Sequence, residues 1–92
     1  MSEISILAFA GFREKFGERN AVSAPRGATI LSVLQLFAED VPAAREELFD
    51  GVVLRGHVIL IYNRERIDAD DATEITVSDG DEIVLYPPVS GG

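Results

Sequence analysis

The 92-residue chain contains no cysteine, which excludes a disulfide framework, a thiolate nucleophile and a thiolate metal site. It has a single histidine, His57. One imidazole without cysteine or a second histidine does not make a transition-metal site, so His57 is read as a surface residue opening a strand. Lysine is almost missing as well, with Lys15 alone. An isopeptide between copies of this chain would have only that side-chain acceptor, besides the N-terminus. No apolar run approaches the roughly 20 residues needed to span a membrane. The start, Met1-Ser2-Glu3, lacks the basic region and small-residue cleavage site of a signal peptide. Cytoplasmic residence without a membrane partner is the expectation.

Positive charge is also scarce. Sixteen acids stand against eight bases, a formal charge of −8. Such a surface repels phosphates and lacks the electrostatic basis of nucleic-acid binding. It favours encounter with a positively charged protein surface, or serves only solubility. The acids Asp68, Asp70, Asp71 and Glu74 do not follow the order of a calcium loop and read as a solvated segment, so no metal site is expected. Ser5, Ser23, Ser32, Ser78 and Ser90 lie in no Gly-x-Ser-x-Gly elbow. Gly11 and Gly17 lack the Gly-Lys-Ser/Thr of a phosphate loop. No catalytic cluster emerges.

What the chain does have is an apolar content of 47%, which argues for a globular fold over disorder. Its length fits one domain with a modest core. Ile4 to Ala10 reads as a first strand and Glu18 to Ala24 as a second, closing a hairpin around Gly11–Gly17. Phe12 and Phe16, four apart, share one face of a helical turn there and cap the core. Thr29 fits a helix N-cap. Ile30, Val33, Leu34 and Phe37 follow at the spacing of one helix face. Pro42 to Phe49 suits a short helix with proline in its first turn. Val52 to Leu54 suits a short strand, and Val58 to Tyr62 is the strongest strand of the chain. Asp68 to Thr73 reads as irregular. Ile75 and Val77 return to the core, and Ser78-Asp79-Gly80-Asp81 turns into a last strand, Glu82 to Tyr86.

That strand runs straight into Pro87-Pro88-Val89-Ser90-Gly91-Gly92. Proline has no backbone donor, so sheet pairing must stop there. Glycine carries no Cβ and lies against another backbone where larger residues clash. Six residues at about 3.3 Å each reach roughly 20 Å, a length suited to a partner's pocket. The expected organisation is a single domain over 1–92 with a flexible tail at 87–92. One main helix crosses one face of a mixed sheet, an α+β arrangement in which the last strand is central and parallel to the first.

Asp79-Gly80-Asp81-Glu82-Ile83, an apolar strand, and the Pro-Pro-Val-Ser-Gly-Gly ending together resemble the ubiquitin-like sulfur carriers of the β-grasp fold. The match is to the MoaD type, the small subunit of molybdopterin synthase. The resemblance implies that an ATP-dependent activating enzyme of the MoeB/ThiF type adenylates Gly92. A sulfur donor then converts it to a thiocarboxylate. The tail inserts into the large synthase subunit, of MoaE type, and delivers sulfur to precursor Z in molybdenum cofactor biosynthesis. Gly92 is then the carrier and Gly91 the narrow neck. Val89 and Ser90 sit at the channel mouth, and Pro87 and Pro88 form a stiff exit. The chain itself is no enzyme, holds no cofactor and leaves ATP to its partner. Two alternatives share the diglycine: sulfur carriage to tRNA or thiamine, and protein modification through an isopeptide at Gly92.

One helix covers only one sheet face, so the set pointing away from it forms an exposed apolar patch of the kind that marks a partner site. Val58, Leu60, Tyr62, Val84 and Tyr86 are the named candidates for that partner face. Which set faces out is not fixed by sequence.

Overall fold

Alternation decides the first strand. Ile4, Ile6 and Ala8 are buried, while Glu3 is exposed and Ser5 and Leu7 are half-buried, the period of two that a sheet with one buried face requires. In the computed structural model, which describes residues 1–88, β1 spans Ser2–Ala8. It starts earlier than Ile4 because Ser2 and Glu3 pair with Ala24 and Ser23 of β2, Arg19–Ala24. It ends before Ala10 because that residue takes φ 54°, a left-handed turn that starts α1, Gly11–Phe16. The Phe12 and Phe16 rings stack at 5.0 Å, and Phe16 meets Phe37 edge-on at 5.8 Å. The helical turn thus caps the core as its spacing implies.

The main helix, α2, spans Ile30–Asp40. Thr29 Oγ1 accepts the Ser32 backbone N–H at 3.2 Å, which satisfies one of the free donors of the first turn. Ile30, Val33, Leu34, Phe37 and Ala38 are its buried residues. Helix α3, Pro42–Leu48, begins with proline at its start, where the missing donor costs nothing. A two-residue hairpin follows, β3 at Phe49–Asp50 and β4 at Val53–Leu54.

Strand β5, Ile59–Tyr62, turns through Asn63 and Arg64 into β6, Glu65–Ile67. Both turn residues have positive φ, 47° and 73°, as a tight turn matching the strand twist demands. The acidic stretch differs from expectation: Ala69–Thr73 is a 3-10 helix. Asp68 and Asp71 each bond the other's backbone N–H in a reciprocal cap, so these carboxylates hold a helical turn instead of lying free. Ile30 N–H then donates to Ile75 C=O at 3.0 Å and Val77 N–H to Ala28 C=O at 2.9 Å, tying this segment to the start of α2.

The last strand, β7, spans Glu82–Tyr86. Its position is central: the five-stranded sheet has the order β2-β1-β7-β5-β6, with β7 parallel to β1 and antiparallel to β5. This is the ubiquitin-like β-grasp, an α+β fold. The buried cluster joins the helix faces to Ile4, Ile6, Ala8, Leu60, Ile83 and Leu85 of the sheet. Among the described residues, no helix is long and apolar enough to cross a membrane.

Candidate functional site

The register separates the two sheet faces. Ile59 pairs with Tyr86, Leu60 with Leu85, Ile61 with Val84 and Tyr62 with Ile83, and directly opposed residues point to the same side. Leu60, Ile83 and Leu85 are fully buried against the helices. Ile59, Ile61, Val84 and Tyr86 therefore face away from them. Leu7 and Phe9 continue this outer set across β1, since Leu7 pairs with Val84 and the Phe9 ring stacks on Tyr86 at 5.0 Å.

This corrects the partner-face candidates. Val58 and Leu60 belong to the core, at 5% and 0% exposure, and Tyr62 packs against the core from its margin. Val84 and Tyr86 remain outward, joined by Leu7, Phe9, Ile59 and Ile61. Alternation told the two sets apart, but only the pairing to β1 and β7 assigns their direction. Phe9 has no such signal in the sequence, because its ring partner Tyr86 lies at the other end of the chain.

The tail starts at the edge of this patch. Phe9 N–H donates to Leu85 C=O at 3.1 Å, one residue before Tyr86, and the ring stack closes over the outer side. Pro87 is half-buried and Pro88 exposed, so the chain leaves the sheet for solvent here. Val89, Ser90, Gly91 and Gly92 lie outside the described residues. The root of the tail is thus fixed by β1 and α1 neighbours, and the apolar outer face ends where the tail begins.

At the other end of β7, one carboxylate organises the approach. Asp81 accepts from the Tyr62 hydroxyl, from Ser78 N–H at 2.7 Å and from Asn63 Nδ2 at 3.1 Å. Asn63 Oδ1 in turn accepts Glu82 N–H at 2.9 Å. Burial pushes the Asp81 carboxyl up, but the hydrogen bonds from Tyr62, Ser78 and Asn63 outweigh it and hold the group below the ordinary carboxylate value. Burial, the hydrogen bond and the negative charge of Asp81 together push the Tyr62 hydroxyl up to about 12. This network sets the β5–β6 turn against the start of β7; it is a strut, remote from the tail.

The strut has a pH signature. Tyr62 is neutral when folded to higher pH than in the unfolded chain, so its contribution is complete below about pH 10 and is lost as pH rises toward about 12. Tyr62→Phe is expected to flatten the fall in Tm between those pH values and, by removing one of the three hydrogen bonds that lower Asp81, to shrink the Asp81 contribution that is lost in acid. An unchanged alkaline slope in the variant would remove Tyr62 as its source.

His57 is exposed beside the Gly56 turn, and Asp70, Thr73 and Glu74 lie on the far 3-10 segment. Among the described residues, no three His, Asp or Glu side chains are placed to hold a metal ion.

The model of the ThiS family matches residues 6–92. The chain belongs to this family. It is a ubiquitin-like carrier of the ThiS/MoaD type, a class of small proteins that are typically not catalysts themselves. It is 26% identical over 91 residues to small archaeal modifier protein 3 of Haloferax volcanii, covering 98% of this chain and 99% of that protein. The crystal structure of SAMP1 from Haloferax volcanii superposes with a TM-score of 0.87 at 29% identity, over 99% of this chain and 100% of that one. A putative molybdopterin converting factor subunit 1 from Pyrococcus furiosus has a TM-score of 0.75 at 22% identity, over 97% and 100%. That last likeness speaks to the fold alone.

Proposed function

We propose that this ThiS-family chain carries sulfur on Gly92. The observation that supports it best is the exit of the tail from a rigid, stacked strand end at the edge of an apolar sheet face. A carboxylate is a poor electrophile, so it must first be activated. An ATP-dependent enzyme of the MoeB/ThiF type joins the Gly92 carboxylate to AMP and releases pyrophosphate. A sulfur donor then displaces AMP, leaving a thiocarboxylate whose anion is the attacking form. The outer face, Leu7, Phe9, Ile59, Ile61, Val84 and Tyr86, docks the activating enzyme and later the large, MoaE-type subunit of molybdopterin synthase. There the tail enters the active site, and the sulfur goes to precursor Z. Pro87 and Pro88 give a stiff exit, Val89 and Ser90 lie at the channel mouth, and Gly91 is the neck. No cofactor is needed on this chain.

The name of the Haloferax volcanii modifier favours a second reading. In it, the activated Gly92 acyl group passes to a lysine amine as an isopeptide. Lys15, ion-paired with Glu47 on the surface, is then the only side chain through which copies of this chain can be joined.

Intact-mass analysis of the protein purified from its own cells tests both. Replacement of one C-terminal oxygen by sulfur is the result expected for carriage. High-mass adducts that digest to Gly-Gly remnants on lysine point to modification. An unaltered carboxylate in cells lacking any activating enzyme and in cells containing one removes both.

A further inference from the structure

The outer face carries charges that the tail chemistry does not use. Pairing across all five strands sets Arg19, Leu7, Val84, Ile61 and Arg66 in a single row. Opposed residues point to the same side, so three apolar side chains stand between two exposed arginines. Four strand spacings of about 4.8 Å put the two arginine positions roughly 19 Å apart. Among the described residues, the ion pairs are Arg13–Glu18 and Lys15–Glu47, so neither row arginine is neutralised there. The acids of this face, Glu3 and Glu82, pair with Ser23 and Ser5, in rows farther from the tail.

We infer that this face docks a protein surface made of an apolar strip bracketed by carboxylates, set to meet two arginines whose backbone positions are about 19 Å apart. The inference rests on the carrier reading above and assigns the strip to the ATP-dependent activating enzyme. It reverses what the net charge of −8 suggests. At physiological ionic strength, charges beyond about 8 Å are largely screened. At contact, therefore, the local arginines outweigh the acids on the rest of the molecule. Arginine also suits the role: its planar fork meets a carboxylate through two parallel hydrogen bonds. Apolar strip and charged ends divide the work, one supplying buried area and the other register and encounter rate.

The test uses the full chain and the activating enzyme purified from the same cells, with ATP–pyrophosphate exchange as the readout. R19E, R66E and the double variant are compared with R26E, which makes the same charge change in the exposed turn before α2. Thermal melts confirm that each variant is folded. Each single reversal is expected to raise KM several-fold and the double variant about tenfold or more, the scale of two rim ion pairs lost and reversed. The value of kcat changes little, and R26E moves KM less than about twofold. Added salt raises the wild-type KM and leaves the double variant nearly flat. A fall in KM on reversal means the partner is basic and overturns the inference. So does a double variant that behaves like R26E, which leaves the arginines as guards of the two edge strands. A wild-type chain that is never adenylated overturns the carrier reading itself, and this assignment of the partner with it.

Discussion

Deleting Gly92 is expected to bring thiocarboxylate formation to background while the melting temperature stays where it was. The shortened chain still ends in a glycine carboxylate, that of Gly91, but about 3.3 Å nearer the sheet. Misplacement of a reacting group by about 1 Å can already cost roughly 100-fold, and here the error is several times larger. The root cannot slide outward to compensate. It is held by the Phe9–Leu85 backbone bond and the Phe9–Tyr86 stack. Stability is expected to be set elsewhere, because among the described residues the buried cluster ends at Leu85; surface changes beyond such a cluster usually stay within about 0.5 kcal/mol. Intact mass after incubation with the activating enzyme, ATP and a sulfur source reads the first quantity, and a thermal melt reads the second. A large drop in Tm would make the tail part of the fold and sink the carrier reading.

Two adjacent residues on β5 supply the second large effect, and it is one of stability. Leu60 is fully buried. Leu60→Ala loses the transfer energy of its side chain and leaves a cavity, about 2–5 kcal/mol in total. In a domain with about 5–15 kcal/mol to lose, the melting point should fall by roughly 10 °C or more. Ile61, one residue along, faces the other way and is half-buried. Ile61→Ala should cost about 1 kcal/mol or less and instead weaken capture by the activating enzyme. Paired urea titrations of the two variants decide between the faces. If the costs came out reversed, the register of β5 against β7 would be wrong by one residue, and the outer patch would have to be redrawn.

Local signals carried much of this fold. The Ile30–Phe37 spacing, the Thr29 cap and the proline at Pro42 each describe interactions between residues a few positions apart, so they can be read along the chain. The limits of β1 could not, because Ser2 and Glu3 become strand only by pairing with β2, and Ala10 stops it through an uncommon backbone angle. The capped 3-10 turn over Ala69–Thr73 was hidden by its acidic composition, which looks the same in a loop. The outer face was hidden more deeply. A period of two gives the alternation in Val58–Tyr62 but not its phase, so nothing along the chain puts Val58 and Leu60 in the core, where they lie. The Arg19–Arg66 bracket has no sequence signal at all: it exists only because β1, β7 and β5 stand between those two strands. The diglycine tail, by contrast, was evident from composition and position, although its four last residues lie beyond those described.

The parallel pairing of β7 with β1 has a consequence for when the molecule can form. Ser5 meets Glu82 and Ala8 meets Leu85, contacts between opposite ends of the chain. The strand that fills the centre of the sheet is the last of its five in sequence, and without it β2-β1 and β5-β6 are two separate hairpins, each marginal in water. Contacts this distant in sequence also close slowly, since the loop entropy is spent before the pairing repays it. A chain released early therefore has neither a completed sheet nor the tail that the sheet displays.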